Sequence, residues 1–373
     1  MVGLSGGVDS AVAALALREA GYQVRAATLK LWPGDDERSC CSPAAVARAR
    51  ESAHAIGSPH FSVNDESRFE AEVVAPFVGA YLAGETPNPC IACNPGRLRR
   101  LVALADHFGA AWVATGHYAR VVRVAGEPRI ARGRDLDKDQ SYMLWRVPPE
   151  TLERLLLPLG ELTKPAVRAR ARRAGLPPAD QAESQDVCFA PGDHREFLTA
   201  RGAPRQAGEI VDGDGRVLGT HDGWWRFTVG QRRGLGLSAA EPLYVVAIEP
   251  QSGRVVVGPA EKLVVSVVEV RELVDRGLGD GDGLAVQLRY KAAAVAVARL
   301  RRLPGDRARI ELGEPFSGSA PGQSAVLYRD DVVVGGGIIT KAGPRRSPSA
   351  CRCDRVSAPR ARPKRGDGGD VDD

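Results

Sequence analysis

Aromatic residues are scarce in this 373-residue chain, at 5%, while hydrophobic residues overall reach 43%. Its cores must therefore be built from Ala, Val and Leu. No apolar run approaches the ~18 residues that a membrane-spanning helix needs. No basic segment followed by an apolar stretch and a small-residue cleavage site opens the chain, so no secretory leader is expected. There are no internal repeats. Cysteines number 7, an odd count in a chain without a leader. That pattern predicts a reducing, cytoplasmic setting in which thiols serve as metal ligands or catalysts rather than bridges. Charge of one sign is also lacking. The net charge is +5, and residues 343–373, with 8 basic and 5 acidic residues, account for +3 of it. The rest is nearly neutral, so net charge neither implies nor excludes a nucleic acid, and any RNA surface must be a local patch.

What is present falls into two textures. Over the first ~120 residues, short apolar runs alternate with helical patterns. Residues 23–31, 60–63 and 111–115 predict strands, and 43–56, 66–82 and 97–108 predict helices. This alternation predicts an α/β domain with a parallel sheet covered by helices on both faces. The first strand, residues 1–4, is short for an inner strand, which usually needs about five or six residues; the expectation is a frayed strand or one lacking a few leading residues. After residue ~190 the helical period fades. Residues 208–220 carry strand runs around Asp-Gly turns, a hairpin signal, and alternating strands such as 285–288 and 294–300 predict a small C-terminal β-barrel. The expected division is 1–190, 191–254, 255–342 and a disordered basic tail, 343–373.

The first strand runs into Ser5-Gly6-Gly7-Val8-Asp9-Ser10, which opens a helix. Two glycines allow a sharp turn and close backbone approach to an anion. The helix start adds free N–H groups and the positive dipole end, and Ser5 and Ser10 add hydroxyls. No Gly-Lys-Ser/Thr follows, so this is not a Walker A loop. It is similar to the PP-loop of ATP pyrophosphatases, which cleave ATP between the α and β phosphates and adenylate a substrate.

Cys90-Ile91-Ala92-Cys93 admits three readings: half a zinc site, buried apolar fillers, or reactive thiols. Zinc wants a second close pair; Cys40-Cys41 are adjacent, and Cys351 and Cys353 sit in the tail. The proline-bounded Thr86-Pro87-Asn88-Pro89 turn is expected to present Cys90 and Cys93 just before a helix start, where thiolate is favoured. Cys188 lies far off in a polar run. Two separated thiols over a nucleotide suit sulfur relay.

Together these motifs resemble the tRNA-specific 2-thiouridylases. They are SGGVDS at 5–10, TPNPCIACN at 86–94, ATGHY at 114–118, KDQSY at 138–142, DVCF at 186–189, TVGQRRGLG at 228–236, PGQSAV at 321–326 and GGGII at 335–339. The resemblance spans residues 1–342 in family order. It implies that Gly3, Leu4, Ser5, Gly6, Gly7, Val8, Asp9, Ser10, Leu29 and Gly116 bind ATP, with Mg²⁺ accompanying it. Asn88, Pro89 and Cys90 would approach the target base; His117, Lys138, Asp139, Gln140, Arg289, Tyr290 and Gln323 would contact tRNA. Cys93 would be the nucleophile, and Cys188 would carry a persulfide and pair transiently with Cys93. The implied reaction is 2-thiolation of the wobble uridine in tRNAs for Lys, Glu and Gln, with a sulfur-donor protein as partner and neither membrane nor DNA involved. No resident metal is expected. Cys90 stands where some members carry aspartate, so no acid–base role falls to it.

Residue chemistry supports these roles. The C2 oxygen of uridine leaves poorly, and adenylation converts it to AMP, a good leaving group. Sulfur then arrives either by direct attack of the persulfide or as hydrosulfide released by Cys93; thiolate nucleophilicity drives both. Two other classes remain in view: a PP-loop ligase that needs no downstream cysteine, and an RNA-binding protein with a vestigial loop. Without the resemblance, Lys138–Gln140, His117 and Arg289-Tyr290 read as ordinary surface, loop and strand residues, Trp224-Trp225 as core, and the Asp-Gly runs at 212–215 and 279–283 as turns.

Overall fold

The computed structural model describes residues 1–33, 42–177, 179, 187–190, 192–279 and 281–344. Cys40-Cys41, residues 184–186 and the tail beyond Pro344 lie outside the described residues. The first sheet is parallel throughout. It contains β1 (Val2–Gly3), β2 (Ala26–Lys30), β3 (His60–Asn64), β4 (Val113–Ala114) and β7 (Leu155–Leu156), in the order β3-β2-β1-β4-β7. Four of the five β2 residues are buried, the mark of a strand covered on both faces. Helix α1 (Val8–Glu19) packs through Val8, Ala11, Val12, Ala13, Ala14 and Leu17. Those small side chains compensate for the scarcity of aromatics. Chain order reverses at β1, between β2 and β4, and the carboxyl ends there form the crevice in which such sheets bind ligands.

Helices α2 (Pro43–Ala55), α3 (Glu66–Phe69), α4 (Ala75–Leu82) and α5 (Pro89–His107) follow, with one π-helical turn at Glu70–Val74 between α3 and α4. α5 departs from the expected 97–108: it begins at Pro89, so Cys90 and Cys93 lie inside it rather than before it. Asn88 caps it by accepting from the Cys90 N–H at 3.1 Å, and Pro89 takes the first helical position, which lacks an intrahelical partner anyway. Pro95 sits within the helix, and at Gly96 a Cβ would come within 2.4 Å of Arg68 and Glu72, so the pair presses against bare backbone there.

The hairpin β5 (Ala119–Val124) and β6 (Glu127–Arg132) leaves the first sheet and joins the third. Short helices α6 (Ser141–Leu144) and α7 (Pro149–Leu152) follow, then α8 (Lys164–Arg173) and α9 (His194–Ala200). The hairpin expected at 208–220 forms as β8 (Gly208–Val211) and β9 (Val217–His221), which join β10 (Tyr244–Glu249) and β11 (Arg254–Gly258) in a small mixed sheet. Trp224 and Trp225 are buried beside it, their indole N–H groups donating to Leu82 O and Pro204 O.

The expected barrel is present. β12 (Val264–Asp275), β13 (Leu284–Gln287), β14 (Val295–Leu303), β15 (Arg307–Ser317), β16 (Ser324–Arg329) and β17 (Val332–Gly343) run in the order β12-β15-β14-β13-β16-β17, and β17 pairs back to β12. Closure depends on Gly335, Gly336 and Gly337 in β17. A Cβ there would meet Val274 O at 2.5 Å, the Trp145 ring at 2.9 Å and Val270 at 2.8 Å. Arg289-Tyr290, expected within an alternating strand, instead occupies the turn after β13, because the β13–β16 ladder ends at Gln287. Among the described residues no helix is long and apolar enough to cross a membrane.

Candidate active site

The nucleotide loop turns at Gly6, whose φ of +76° and close approach to Ala45 O exclude any side chain: a Cβ would lie 2.3 Å from that oxygen. Ser10 braces the loop, accepting from the Ser5 N–H (3.1 Å) and donating to Gly7 O (3.0 Å). Gly116 lets β4 run against the same loop, since its Cβ would fall 2.7 Å from the Asp9–Ser10 backbone. These contacts leave a cavity of about 220 Å³ at the carboxyl ends of β1, β2 and β4. Gly3, Leu4, Ser5, Asp9, Ser10, Leu29 and Gly116 line it, joined by His117 and Gln140. Gly6, Gly7 and Val8 form the loop behind that lining.

Asp9 is held from two sides. Lys164, the first residue of α8, donates to both carboxylate oxygens at 2.7 and 2.8 Å, and the Tyr118 hydroxyl donates at 2.7 Å. Lys164 is only 7% exposed. Its pairing with a residue 155 positions away carries no local sequence signal, so the sequence reading missed it. Among the described residues Asp9 is the one carboxylate lining the cavity, and no group of three or more His, Cys, Asp or Glu could hold a metal. Among the described residues the lining offers one carboxylate, that of Asp9, to an Mg²⁺ that arrives on nucleotide phosphates.

Helix α5 links cavity and thiols. Cys93, Arg97 and Leu101 recur every fourth residue on one face; Arg97 and Leu101 line the cavity, and Cys93 is buried one turn earlier. Cys90 is exposed overall, yet desolvation and the neighbouring Cys93 push its thiol up against a smaller downward pull from Arg97. The thiolate stabilisation expected of a helix start is thus not found at Cys90. Cys188 is half-buried; it and Cys93 are not disulfide-bonded, and both pack on one apolar cluster. Phe189 anchors the Cys188 turn against Trp32, Phe69, Phe77 and Phe197, with ring centroids 5.1–6.0 Å apart.

Of the remaining site residues, Gln323 joins the barrel to the turn before α5. Gln323 donates to Thr86 O (2.5 Å), and the Thr86 N–H donates to Pro321 O (2.8 Å), so a barrel loop holds the turn bearing Asn88, Pro89 and Cys90. The Asp139 carboxylate accepts from Gly133 N, Ser141 N, Ser141 Oγ and Arg132, which makes it a buried brace of its own loop. Gln140 accepts from the Tyr118 N–H (3.0 Å). Lys138 is half-buried, Arg289 is exposed, and Tyr290 rests 6.0 Å from Tyr142. His117 is buried; burial and the nearby Arg97 charge push it down to about 3, so it is neutral.

A phosphate loop at the switch point of a parallel sheet, with a thiol-bearing helix forming one cavity wall, defines a nucleotide-dependent enzyme of the HUP class joined to a β-barrel. Residues 1–192 match a family described as tRNA methyl transferase HUP domain, 195–259 its PRC-barrel domain, and 280–339 the aminomethyltransferase beta-barrel domain. The chain is 45% identical to the tRNA-specific 2-thiouridylase MnmA of Sorangium cellulosum, over 91% of this chain and 92% of that one. It is 45% identical to that of Moorella thermoacetica, over 91% and 98%. With the bifunctional protein NifU/MnmA of Rubrobacter xylanophilus it shares 48% identity, over 91% of this chain and 69% of that one. The chain belongs to the MnmA family of tRNA-specific 2-thiouridylases.

Proposed function

We propose that this chain catalyses ATP-dependent 2-thiolation of uridine in tRNA; its relatives are named tRNA-specific 2-thiouridylases. The observation that carries the mechanism is the shared helix: α5 bears Cys93, and one and two turns on it lines the nucleotide cavity with Arg97 and Leu101. Adenylation and sulfur transfer thereby meet across one helix face. The loop 5–10, with Gly3, Leu29 and Gly116, binds ATP. The uridine C2 oxygen attacks the α-phosphorus, and pyrophosphate leaves; Mg²⁺ on the phosphates would offset the charge of that leaving group. Cys188, charged as a persulfide by a donor protein, supplies the sulfur to C2, and AMP departs. As the Cys188 S–S bond breaks, Cys93 takes the place of the transferred sulfur, and the two cysteines end as a disulfide that a dithiol must reduce.

Asn88, Pro89 and Cys90 face the target base in this reading, and Lys138, Gln140, Arg289, Tyr290 and Gln323 lie along the tRNA path. Asp139 and His117 act from below that path, as braces. The target is the wobble uridine, and the catalytic work falls to 1–190, with 191–254 and 255–342 supporting tRNA.

The test is direct. Purified protein, ATP, Mg²⁺, a persulfide source and unmodified tRNA are incubated, and the digested RNA is read for 2-thiouridine by mass spectrometry. Wild type is expected to form it only with ATP. Cys93→Ser and Cys188→Ser should lose about three orders of magnitude or more in thiolation while still releasing pyrophosphate. Continued thiolation by Cys188→Ser would overturn the relay, and ATP cleavage without any 2-thiouridine would overturn the acceptor.

A further inference from the structure

We infer that Arg97 is the residue that binds the α-phosphate of the nucleotide, holding its charge through adenylation and onto departing AMP. The inference rests on the proposed reaction. Its starting point is an imbalance in the cavity. Among the described residues Arg97 is the only Lys or Arg in the lining, and Asp9 the only carboxylate, yet the two do not pair, because Asp9 is taken by Lys164 and Tyr118. The partners of Arg97 are neutral. Its Nη2 donates to Asn94 Oδ1 at 2.8 Å and to His117 Nε2 at 3.0 Å. Its Nε is buried and has no partner among the described residues.

The surrounding bonds fix how the guanidinium is presented. Arginine only donates, so His117 Nε2 must accept. The neutral ring then carries its proton on Nδ1, which donates to Thr115 Oγ1 at 2.7 Å. Asn94 offers its oxygen to Arg97 because its amide nitrogen donates to Met143 O at 2.9 Å. The plane is thus set by α5 on one side and the end of β4 on the other. A guanidinium held this firmly by neutral partners, its charge unpaired by any carboxylate of the lining and a buried N–H unspent, matches an anionic phosphoryl group.

Position selects which phosphate. The glycine loop and the start of α1 form one wall of the cavity and suit the pyrophosphate end. Arg97 enters the lining from a different element, α5, one turn from Cys93. The phosphate nearest the thiol side is the one that joins the uridine oxygen, and it persists in ATP, in the adenylated base and in AMP. The guanidinium there opposes charge that grows as the sulfur–carbon bond forms and AMP leaves, without taking or giving a proton.

The experiment compares ligands that differ only at this group. Calorimetric binding of AMP and of adenosine is measured for wild type, Arg97→Gln and Arg97→Lys, with thermal unfolding as the check on folding. Arg97→Gln is expected to weaken AMP by about tenfold or more while moving adenosine less than about twofold. Arg97→Lys keeps charge but loses the planar group that Asn94 and His117 hold in place, and is expected to weaken AMP about threefold with adenosine unmoved. Equal losses for both ligands would make Arg97 a structural residue, and unchanged AMP affinity would remove it from the site; either overturns the inference. If Arg97→Gln does not fold, the Arg97→Lys comparison decides alone by the same criteria. These arms do not require thiolation, so failure of wild type to form 2-thiouridine would sink the proposed reaction separately.

Discussion

His117 shows how a polar residue can be functional in place and costly in acid. Its ring is buried between Thr115 and Arg97, with both nitrogens used. Protonation would cost the acceptor at Nε2 and set two cations side by side, and the residue is held down to about 3 from an ordinary 6.5. The unfolded chain therefore binds a proton that the folded chain refuses. By linkage, stability is unaffected above pH 6.5 and is lost as pH falls from 6.5 toward 3. At pH 5 this one group is expected to remove about 2 kcal/mol. The check is urea unfolding at pH 7.5 and pH 5 for wild type and His117→Gln, the variant being expected to lose less on acidification by about that amount. Equal pH dependence in the two proteins would show that His117 is not the acid-sensitive group.

In the proposed reaction helix α5 carries the nucleophile, and its first turn is set by one side chain. Asn88 Oδ1 accepts from the Cys90 N–H while its amide contacts Met143 Sδ at 3.4 Å. Asn88→Ala is expected to cost about 1 kcal/mol in denaturant unfolding and to speed alkylation of Cys93 by iodoacetamide, whereas Asn88→Asp restores the cap and most of the stability. An alanine variant with unchanged midpoint and alkylation rate would mean that the prolines alone hold the turn. The helix start was in fact readable, since Asn-Pro is a cap followed by a favoured first residue. Four nearby helix breakers, Pro87, Pro89, Pro95 and Gly96, concealed it. The nucleotide loop was legible for the opposite reason: its glycines, hydroxyls and helix start are consecutive, and local chemistry specifies them. Lys164 and Arg97 were not legible. Their meaning comes from Asp9, 155 residues from Lys164, and from His117, 20 residues from Arg97, and only the fold assembles those contacts.

At the scale of the whole molecule, the first sheet and the barrel are bound by a seam that sequence periodicity does not reveal. β6 leaves the α/β segment to pair with β17 through Ala131 and Val332. Arg132 lies 3.9 Å over the Tyr328 ring and donates to Gln287, Tyr142 donates to Ser324 O, and Arg271 pairs with Glu85. At the centre stands Trp145, fully buried, its indole N–H donating to Ser324 Oγ at 3.1 Å and its ring lying against the bare backbone of Gly336. That glycine is there because the ring occupies the space a side chain would need. The same barrel reaches the thiol helix through Gln323 and Thr86, so loosening the seam should loosen the turn at 86–90 as well. Trp145→Ala is expected to cost about 3–5 kcal/mol and to divide one cooperative unfolding transition into two, as the lobes lose their common core. Trp145→Phe retains most of the apolar contact and loses only the Ser324 bond, at about 1 kcal/mol. Calorimetry of the three proteins separates the cases. A single transition in Trp145→Ala, lowered by less than about 1 kcal/mol, would place the coupling in the strand and ion pairs rather than in the buried indole. Two transitions with thiolation reduced and AMP binding retained would show that the barrel works by holding the Thr86–Cys90 turn against the helix that carries Cys93.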